Sequence, residues 1–122
     1  MFDHIGIRVK DLAASVRFYT AALAPLGLGL CSSDESGAGF GPRGEPALWL
    51  YRGDGGGTHL AFRAGDRAAV DRFHGAALAA GARDHGQPGV RGDYGPSYYA
   101  AFVLDPDGNN VEAVWYDHSK AR

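Results

Sequence analysis

Three residues of this chain have side chains that commonly bind divalent metal ions, and two of them occur in matching contexts. His4 begins an alternating segment that runs to Arg8, and His59 begins a similar segment that runs to Arg63. Glu112 lies in a third apolar segment, 111–115. Two imidazoles and one carboxylate make an open metal site that leaves positions for water or substrate. The sequence therefore predicts a divalent metal site at His4, His59 and Glu112, if the fold brings them together.

The two histidines are related by an internal repeat. At an offset of 55 positions, residues 4–24 align with residues 59–79 without a gap, and the identities include Asp11 with Asp66 and Phe18 with Phe73. Matches of this kind in one register indicate a duplicated structural unit. The sequence therefore predicts that the two histidines begin equivalent strands.

The local patterns assign a face to each candidate ligand. In the first segment Ile5, Ile7 and Val9 alternate with His4, Gly6 and Arg8, which is the period of a half-buried strand. By the same alternation, we expect His59 to point to the opposite face of the sheet from Leu60, and Glu112 to the opposite face from Val111 and Ala113. We expect helices over 12–24 and 67–80, with Asp11 and Asp66 as their N-caps.

Further strands are predicted over 28–32, 47–51, 98–104 and 111–115, and the glycine-rich stretches 37–44 and 86–96 are predicted to be loops. The predicted fold class is α+β, with two tandem βαβββ modules that form a curved mixed-sheet cup with helices outside. A chain of 122 residues makes one domain, 1–122, with halves 1–53 and 57–118.

Three segments together resemble the vicinal oxygen chelate superfamily, which includes glyoxalase I, extradiol dioxygenases, and fosfomycin- and bleomycin-resistance proteins. They are residues 4–19, residues 58–62, and the segment 102–112 that contains Asp105-Pro106-Asp107-Gly108-Asn109 before Glu112. The resemblance implies paired βαβββ modules around a metal cup, usually in a homodimer and sometimes with modules exchanged between chains. It also implies that His4, His59 and Glu112 are metal ligands, with Fe, Mn, Ni or Zn left open.

The resemblance implies metal-dependent lyase, isomerase or extradiol-dioxygenase chemistry on a small substrate chelated through adjacent oxygens. A fourth ligand, as in glyoxalase I, is not expected, because aligning 47–50 with 111–114 places Leu48 opposite Glu112 and the strand has no Glu, Gln or His. No lysine lies between Lys10 and Lys120 to bind a phosphonate, although Arg91 could substitute. The alternative is a drug- or antibiotic-binding resistance protein without catalysis.

Several residues are expected beside the metal. Tyr98 and Tyr99 are candidate catalytic phenols, although aromatic residues are also common in strands. Candidate substrate-binding residues are Trp49, Arg8, Arg63, Arg91 and Tyr94, with solvated strand ends as the alternative for Arg8 and Arg63. The other histidines, His74, His85 and His118, are expected at the surface.

Composition restricts the class of partner. A net charge of −2 without a basic run argues against nucleic-acid binding, and no apolar stretch approaches the roughly 20 residues of a membrane helix. Cys31 is the single cysteine, which excludes an internal disulfide and fits a reducing cytoplasm. The expected partner is a small molecule, and the expected assembly is a homodimer.

Overall fold

The first half of the chain forms a βαβββ unit. In the computed structural model, which describes residues 2–117, the order is β1 (Ile5–Val9), α1 (Leu12–Leu23), β2 (Gly29–Ser33), β3 (Gly37–Gly41) and β4 (Leu48–Arg52). The carboxylate of Asp11 accepts a hydrogen bond from the Ala14 N–H at 3.0 Å, so the predicted N-cap of α1 is confirmed. A 3-10 turn over Ala24–Leu26 follows α1, and Gly27 ends it with φ of 79°.

The second half repeats the same order. It consists of β5 (His59–Arg63), α2 (Arg67–Ala79), β6 (Arg83–Val90), β7 (Tyr99–Leu104) and β8 (Asn110–Trp115). The carboxylate of Asp66 accepts from the Ala69 N–H at 2.7 Å, which confirms the second predicted N-cap. The equivalent caps explain why the repeat keeps aspartate at both positions.

Each half contributes one four-stranded mixed sheet. The strand orders are β1-β4-β3-β2 and β5-β8-β7-β6, and the pairs β1/β4 and β5/β8 are parallel. The predicted α+β fold of two tandem βαβββ modules is confirmed. The division into halves 1–53 and 57–118 stays a prediction, and residue 118 lies outside the described residues.

Two strands lie where loops were predicted. In β3 the strand period is hidden because Gly37, Gly39 and Gly41 occupy the positions that other strands fill with side chains. A Cβ at Gly39 would lie 2.8 Å from the Trp49 ring, so this glycine makes room for an aromatic side chain. In β6 two register irregularities interrupt the alternation on which the sequence prediction depended.

One apolar core joins the halves on the helix-covered side of both sheets. Phe18 and Tyr19 of α1 and Phe73 of α2 are almost completely buried, and α1 also packs against α2. Burial of a side chain such as Phe18 or Phe73 stabilises the fold by about 1.5–3 kcal/mol. No helix within residues 2–117 is long and apolar enough to cross a membrane.

The sheet faces turned away from α1 and α2 are called the open faces below. Strand register places Gly6, Arg8, Trp49 and Tyr51 on the open face of the first sheet, and His59, Ala61, Arg63, Phe102 and Glu112 on that of the second.

Candidate functional site

Glu112 is a buried carboxylate on the open face of the second sheet. It lies in β8 between Ala61 of β5 and Phe102 of β7, and only 3% of it is exposed. Its Oε1 lies 2.9 Å from Nε2 of His59, and its Oε2 accepts a hydrogen bond from the Tyr98 hydroxyl. A buried carboxylate is costly unless it is paired, and these two contacts supply the partners.

His59 covers this carboxylate from the solvent side. Its side chain is 53% exposed, and its ring lies edge-on to Phe102 with centroids 6.3 Å apart. Strand alternation explains the placement, because Leu60 is buried in the core while His59 points to the opposite face. The imidazole is therefore accessible to a small molecule, whereas Glu112 lies beneath it.

Tyr98 holds the other oxygen of Glu112. Its ring is stacked on Tyr116 and lies edge-on to Tyr94. Burial, and then the hydrogen bond to Glu112, raise the pKa of Tyr98 well above its ordinary value. Tyr98 therefore remains a neutral donor at physiological pH, in the place predicted for a phenol beside the site.

His4 is not part of this cluster. Its Nδ1 lies 2.8 Å from Oδ1 of Asp3, and no group of three or more His, Cys, Asp or Glu side chains within residues 2–117 is arranged to hold a metal ion. His4 and His59 do line the same groove of about 340 Å³, together with Ile5, Leu48, Leu60 and Phe62. The structure thus assembles two of the three predicted metal ligands within one chain.

The paired donors fit a metal ion in type and spacing. Imidazole nitrogen and carboxylate oxygen are ligands that Zn, Ni, Mn and Fe accept. Nε2 of His59 and Oε1 of Glu112 are 2.9 Å apart, which is close to the separation of two neighbouring ligands around one ion at roughly 2.1 Å from each. The geometry therefore fits one edge of a metal coordination sphere.

The strand register corrects the predicted equivalence of Leu48 and Glu112. In the first sheet Gly6 pairs with Trp49. In the second sheet Ala61, the repeat equivalent of Gly6, pairs with Glu112. Trp49 is therefore the first-half equivalent of Glu112. Leu48 is buried on the helix-covered side instead. The expectation that this strand offers no fourth ligand is unaffected, since Trp49 is not a metal ligand.

An aromatic surface covers the open face of the first sheet. The rings of Trp49 and Tyr51 are stacked with centroids 6.3 Å apart. Glycines leave room for them, since a Cβ at Gly6 would lie 3.0 Å from the Tyr51 ring. Trp49 was predicted as a site residue but Tyr51 was not, although both lie on the open face.

The arginines predicted to bind substrate lie on or beside the open faces. Arg8 is exposed one residue before the end of β1, and Arg63 is exposed at the end of β5. Arg91 follows β6 directly, and its guanidinium carbon lies 5.4 Å from the centroid of the Phe102 ring. Tyr94 is 67% exposed and contacts the cluster through Tyr98.

Tyr99 lies on the other side of the second sheet from its predicted place, and His74 is buried rather than at the surface. The Tyr99 hydroxyl donates to Asp71 of α2 at 2.6 Å, and Arg67 lies over its ring, so it does not contact Glu112. Adjacent residues of a strand point to opposite faces, and Tyr98 and Tyr99 therefore cannot both serve the site. His74, expected at the surface, is buried in α2 with Nε2 2.9 Å from Asp84.

The two other histidines predicted to lie at the surface are His85 and His118. His85 is exposed in β6, as expected. His118 lies outside the described residues. Asn110 was not predicted as a site residue. It is the register neighbour of His59, and its buried Oδ1 has no hydrogen-bond partner among the described residues.

Comparison with known proteins agrees with this architecture. The profile of the Glyoxalase/Bleomycin resistance protein/Dioxygenase superfamily matches residues 1–113. The chain is therefore a member of that superfamily, whose members bind small molecules and typically depend on a metal. A search of curated proteins found no match.

Solved structures show the same fold. A glyoxalase/bleomycin resistance protein from Albidiferax ferrireducens T118 is 30% identical with a TM-score of 0.79, over 93% of this chain and 97% of that one. A glyoxalase-related enzyme from Fulvimarina pelagi is 19% identical with a TM-score of 0.75, over 93% and 86% of the two chains. A glyoxalase/bleomycin resistance protein/dioxygenase family enzyme from Burkholderia phytofirmans PsJN is 21% identical with a TM-score of 0.71, over 92% and 95%. The last two comparisons support the fold alone.

Proposed function

We propose that this protein is a metal-dependent enzyme that acts on a small substrate chelated through adjacent oxygens. The observation that carries the proposal is the pair of donor atoms in His59 and Glu112, 2.9 Å apart on an open face. The reaction is of the lyase or isomerase type, or a ring-opening oxygenation if the metal is iron. Zinc, nickel and manganese suit the same donors.

The third ligand in this proposal is His4 from a second copy of the chain. Within one chain His4 is engaged by Asp3 and does not join His59 and Glu112. The open faces carry exposed aromatic and charged side chains, among them Arg8 and Tyr51 on the first sheet and His59 and Arg63 on the second. A homodimer that pairs the open face of the first sheet with that of the second supplies both a cover and the missing imidazole.

The side chains around the pair have distinct tasks. A divalent ion held there acts as a Lewis acid toward the substrate oxygens. Tyr98 keeps one oxygen of Glu112 occupied by a hydrogen bond, so the other oxygen stays directed toward His59. Asn110, the register neighbour of His59, has an Oδ1 that is buried without a hydrogen-bond partner among the described residues, and a bound water molecule would satisfy it. The exposed edge of His59 leaves access for the substrate.

We further propose a cytoplasmic location. Cys31 is a free, partly buried thiol and is the single cysteine of the sequence, which is typical of proteins in a reducing compartment.

A binding protein without catalysis is the second candidate function. It is favoured by the stacked Trp49 and Tyr51 rings and by a groove lined mainly by apolar side chains. Such surfaces bind planar or apolar molecules without a metal. In this case the contact between His59 and Glu112 would only satisfy a buried carboxylate.

The decisive experiment is the metal content of protein purified without chelator, for wild type and Glu112→Gln. Asp84→Asn is a matched control because it breaks another histidine–carboxylate contact of 2.9 Å, on the helix-covered side. The enzyme proposal expects near-stoichiometric divalent metal in wild type and the control, and its loss in Glu112→Gln. Absence of metal from wild type even after reconstitution would refute it and favour the binding protein.

A further inference from the structure

Arg91 is held in a fixed position on the open face of the second sheet. Its Nη1 donates to the Gly89 carbonyl at 2.9 Å and its Nη2 donates to the Gln87 carbonyl at 2.6 Å. Both carbonyls belong to the irregular part of β6, where the register with β7 shifts. Bulges of this kind often redirect a side chain beside a functional site. The guanidinium is thus oriented before any ligand arrives.

Two glycines leave the space that the guanidinium fills. A Cβ at Gly86 would lie 2.9 Å from the Phe102 ring and 3.1 Å from Nη2 of Arg91, and a Cβ at Gly89 would lie 3.2 Å from Nη1. Neither glycine has the positive φ that favours glycine on conformational grounds. Their role is therefore steric, because a larger residue would displace Arg91 from the face of Phe102.

Among the described residues, the charge of Arg91 has no partner of opposite sign. Within residues 2–117 no carboxylate forms an ion pair with it, and its two hydrogen-bond acceptors are neutral carbonyls. Glu112, the carboxylate on the same open face, is already engaged by His59 and Tyr98. A guanidinium has five N–H donors in a planar fork that matches the oxygens of a carboxylate or phosphonate.

Phe102 connects this cation to the proposed reaction centre. The guanidinium carbon lies 5.4 Å from the ring centroid, and the His59 ring lies edge-on to the same ring at 6.3 Å. Phe102 is also the register neighbour of Glu112. A single small molecule can therefore contact both Arg91 and His59 across one aromatic ring.

We propose that Arg91 recognises the anionic group of the substrate, so that the substrate class is a small organic acid bearing a carboxylate or phosphonate. The assignment of Arg91 rests on the proposed function only in placing the reacting oxygens of the substrate at His59 and Glu112. Arg91 fixes the charged end of the molecule and thereby determines specificity.

The test uses the full-length, metal-free, ¹⁵N-labelled protein and three probes: benzoate, phenylphosphonate and the neutral amide benzamide. NMR titrations follow the backbone amide signals in wild type, Arg91→Gln and Arg83→Gln, and also the Nε–Hε signal of Arg91 in the proteins that keep this residue. Arg83 is an exposed arginine of the same strand and serves as the control. Gly89→Ala adds a variant that keeps the charge but crowds Nη1.

At least one anion is expected to bind saturably and shift the Arg91 signal. Arg91→Gln should weaken that binding at least about fivefold, since charge-assisted hydrogen bonds are lost, whereas Arg83→Gln should leave it unchanged. Gly89→Ala should weaken it as well, and benzamide should bind more weakly than benzoate. The tighter anion identifies the group as carboxylate or phosphonate.

The proposal would be overturned if Arg91→Gln weakened anion binding less than about fivefold, or if Arg83→Gln weakened it as much as Arg91→Gln. It would also be overturned if benzamide bound as tightly as benzoate, or if neither anion bound saturably. Because the protein is metal-free in every titration, this result is independent of the metal-content experiment. Failure of one proposal is therefore distinguishable from failure of the other.

Discussion

Tyr19 in α1 and Asp105 in the turn between β7 and β8 form a buried hydrogen bond between the two halves, with Oη 2.6 Å from Oδ2. The carboxylate of Asp105 also accepts from the backbone N–H groups of Asp107 and Asn109. This turn leads directly into β8, the strand of Glu112. The helix of the first half therefore fixes the start of the strand that carries the buried carboxylate of the second.

The Tyr19→Phe variant should lower the free energy of unfolding by about 1–3 kcal/mol, because it removes a buried hydrogen bond to a charged acceptor. Urea denaturation of wild type and the variant measures the difference. Tyr94→Phe is the control, since Tyr94 is 67% exposed. A loss in Tyr19→Phe no larger than in Tyr94→Phe would show that the bond does not stabilise the fold.

The same tyrosine predicts a loss of stability at alkaline pH. Burial, followed by the charge of Asp105, raises the pKa of Tyr19 far above the ordinary 10.0. Above that ordinary value the unfolded chain releases a proton that the folded chain retains, so the free energy of unfolding falls as pH rises. Unfolding midpoints measured from about pH 8 to about pH 11 should decline less in Tyr19→Phe than in wild type. Equal declines would contradict the assignment.

Tyr98→Phe and Tyr99→Phe form a matched pair that separates the two faces of β7. Tyr98→Phe removes the donor to Glu112 and should weaken metal affinity about 10-fold, as removal of groups that orient a ligand commonly does. Tyr99→Phe removes a hydrogen bond to Asp71 on the helix-covered side and should leave metal affinity unchanged. Competition with a chelating dye measures both. Equal effects of the two substitutions would exclude a role for Tyr98 at the site.

Much of the fold was predictable because the duplication is visible in the sequence. The equivalence of Asp11 and Asp66 predicted two N-caps, and strand alternation predicted that His59 and Glu112 share a face. Register was less predictable, since a shift of one residue places Leu48 rather than Trp49 opposite Glu112. A one-residue error of this kind moves a side chain to the other face of the sheet.

The glycine-rich strands and the place of His4 were beyond sequence reasoning. In β3 the glycines are recognisable as strand residues only when the rings of Trp49 and Tyr51 are seen above them. His4 has the same type and context as His59, but a repeat does not reveal which chain supplies each member of a site. The repeat could have predicted the burial of His74. It is equivalent to the buried Tyr19, and both side chains donate a hydrogen bond from a helix to an aspartate.

The contact between His74 and Asp84 predicts an acid-dependent contribution to stability. The hydrogen bond from His74, followed by that from the Gly86 N–H, holds the pKa of Asp84 below its ordinary value of 3.8. A carboxylate with a lowered folded pKa stabilises the fold above its unfolded pKa, and this contribution is lost as pH falls through the folded pKa. Urea midpoints measured from neutral pH to below the ordinary pKa should therefore fall less steeply in Asp84→Asn than in wild type. Asp93→Asn, in an exposed loop, should keep the wild-type slope.

Mixing two variants that each fail to bind metal tests whether the metal site is shared between chains. His4→Ala and Glu112→Gln should each lose metal as pure proteins. If His4 of one copy completes the site of another, a mixed dimer contains one site with both substitutions and one site with neither. Unfolding and refolding the two variants together should then restore metal binding to about a quarter of the sites, given random pairing in a two-fold dimer. If each site belonged to one chain, every site in the mixture would carry one substitution, and no metal binding would return.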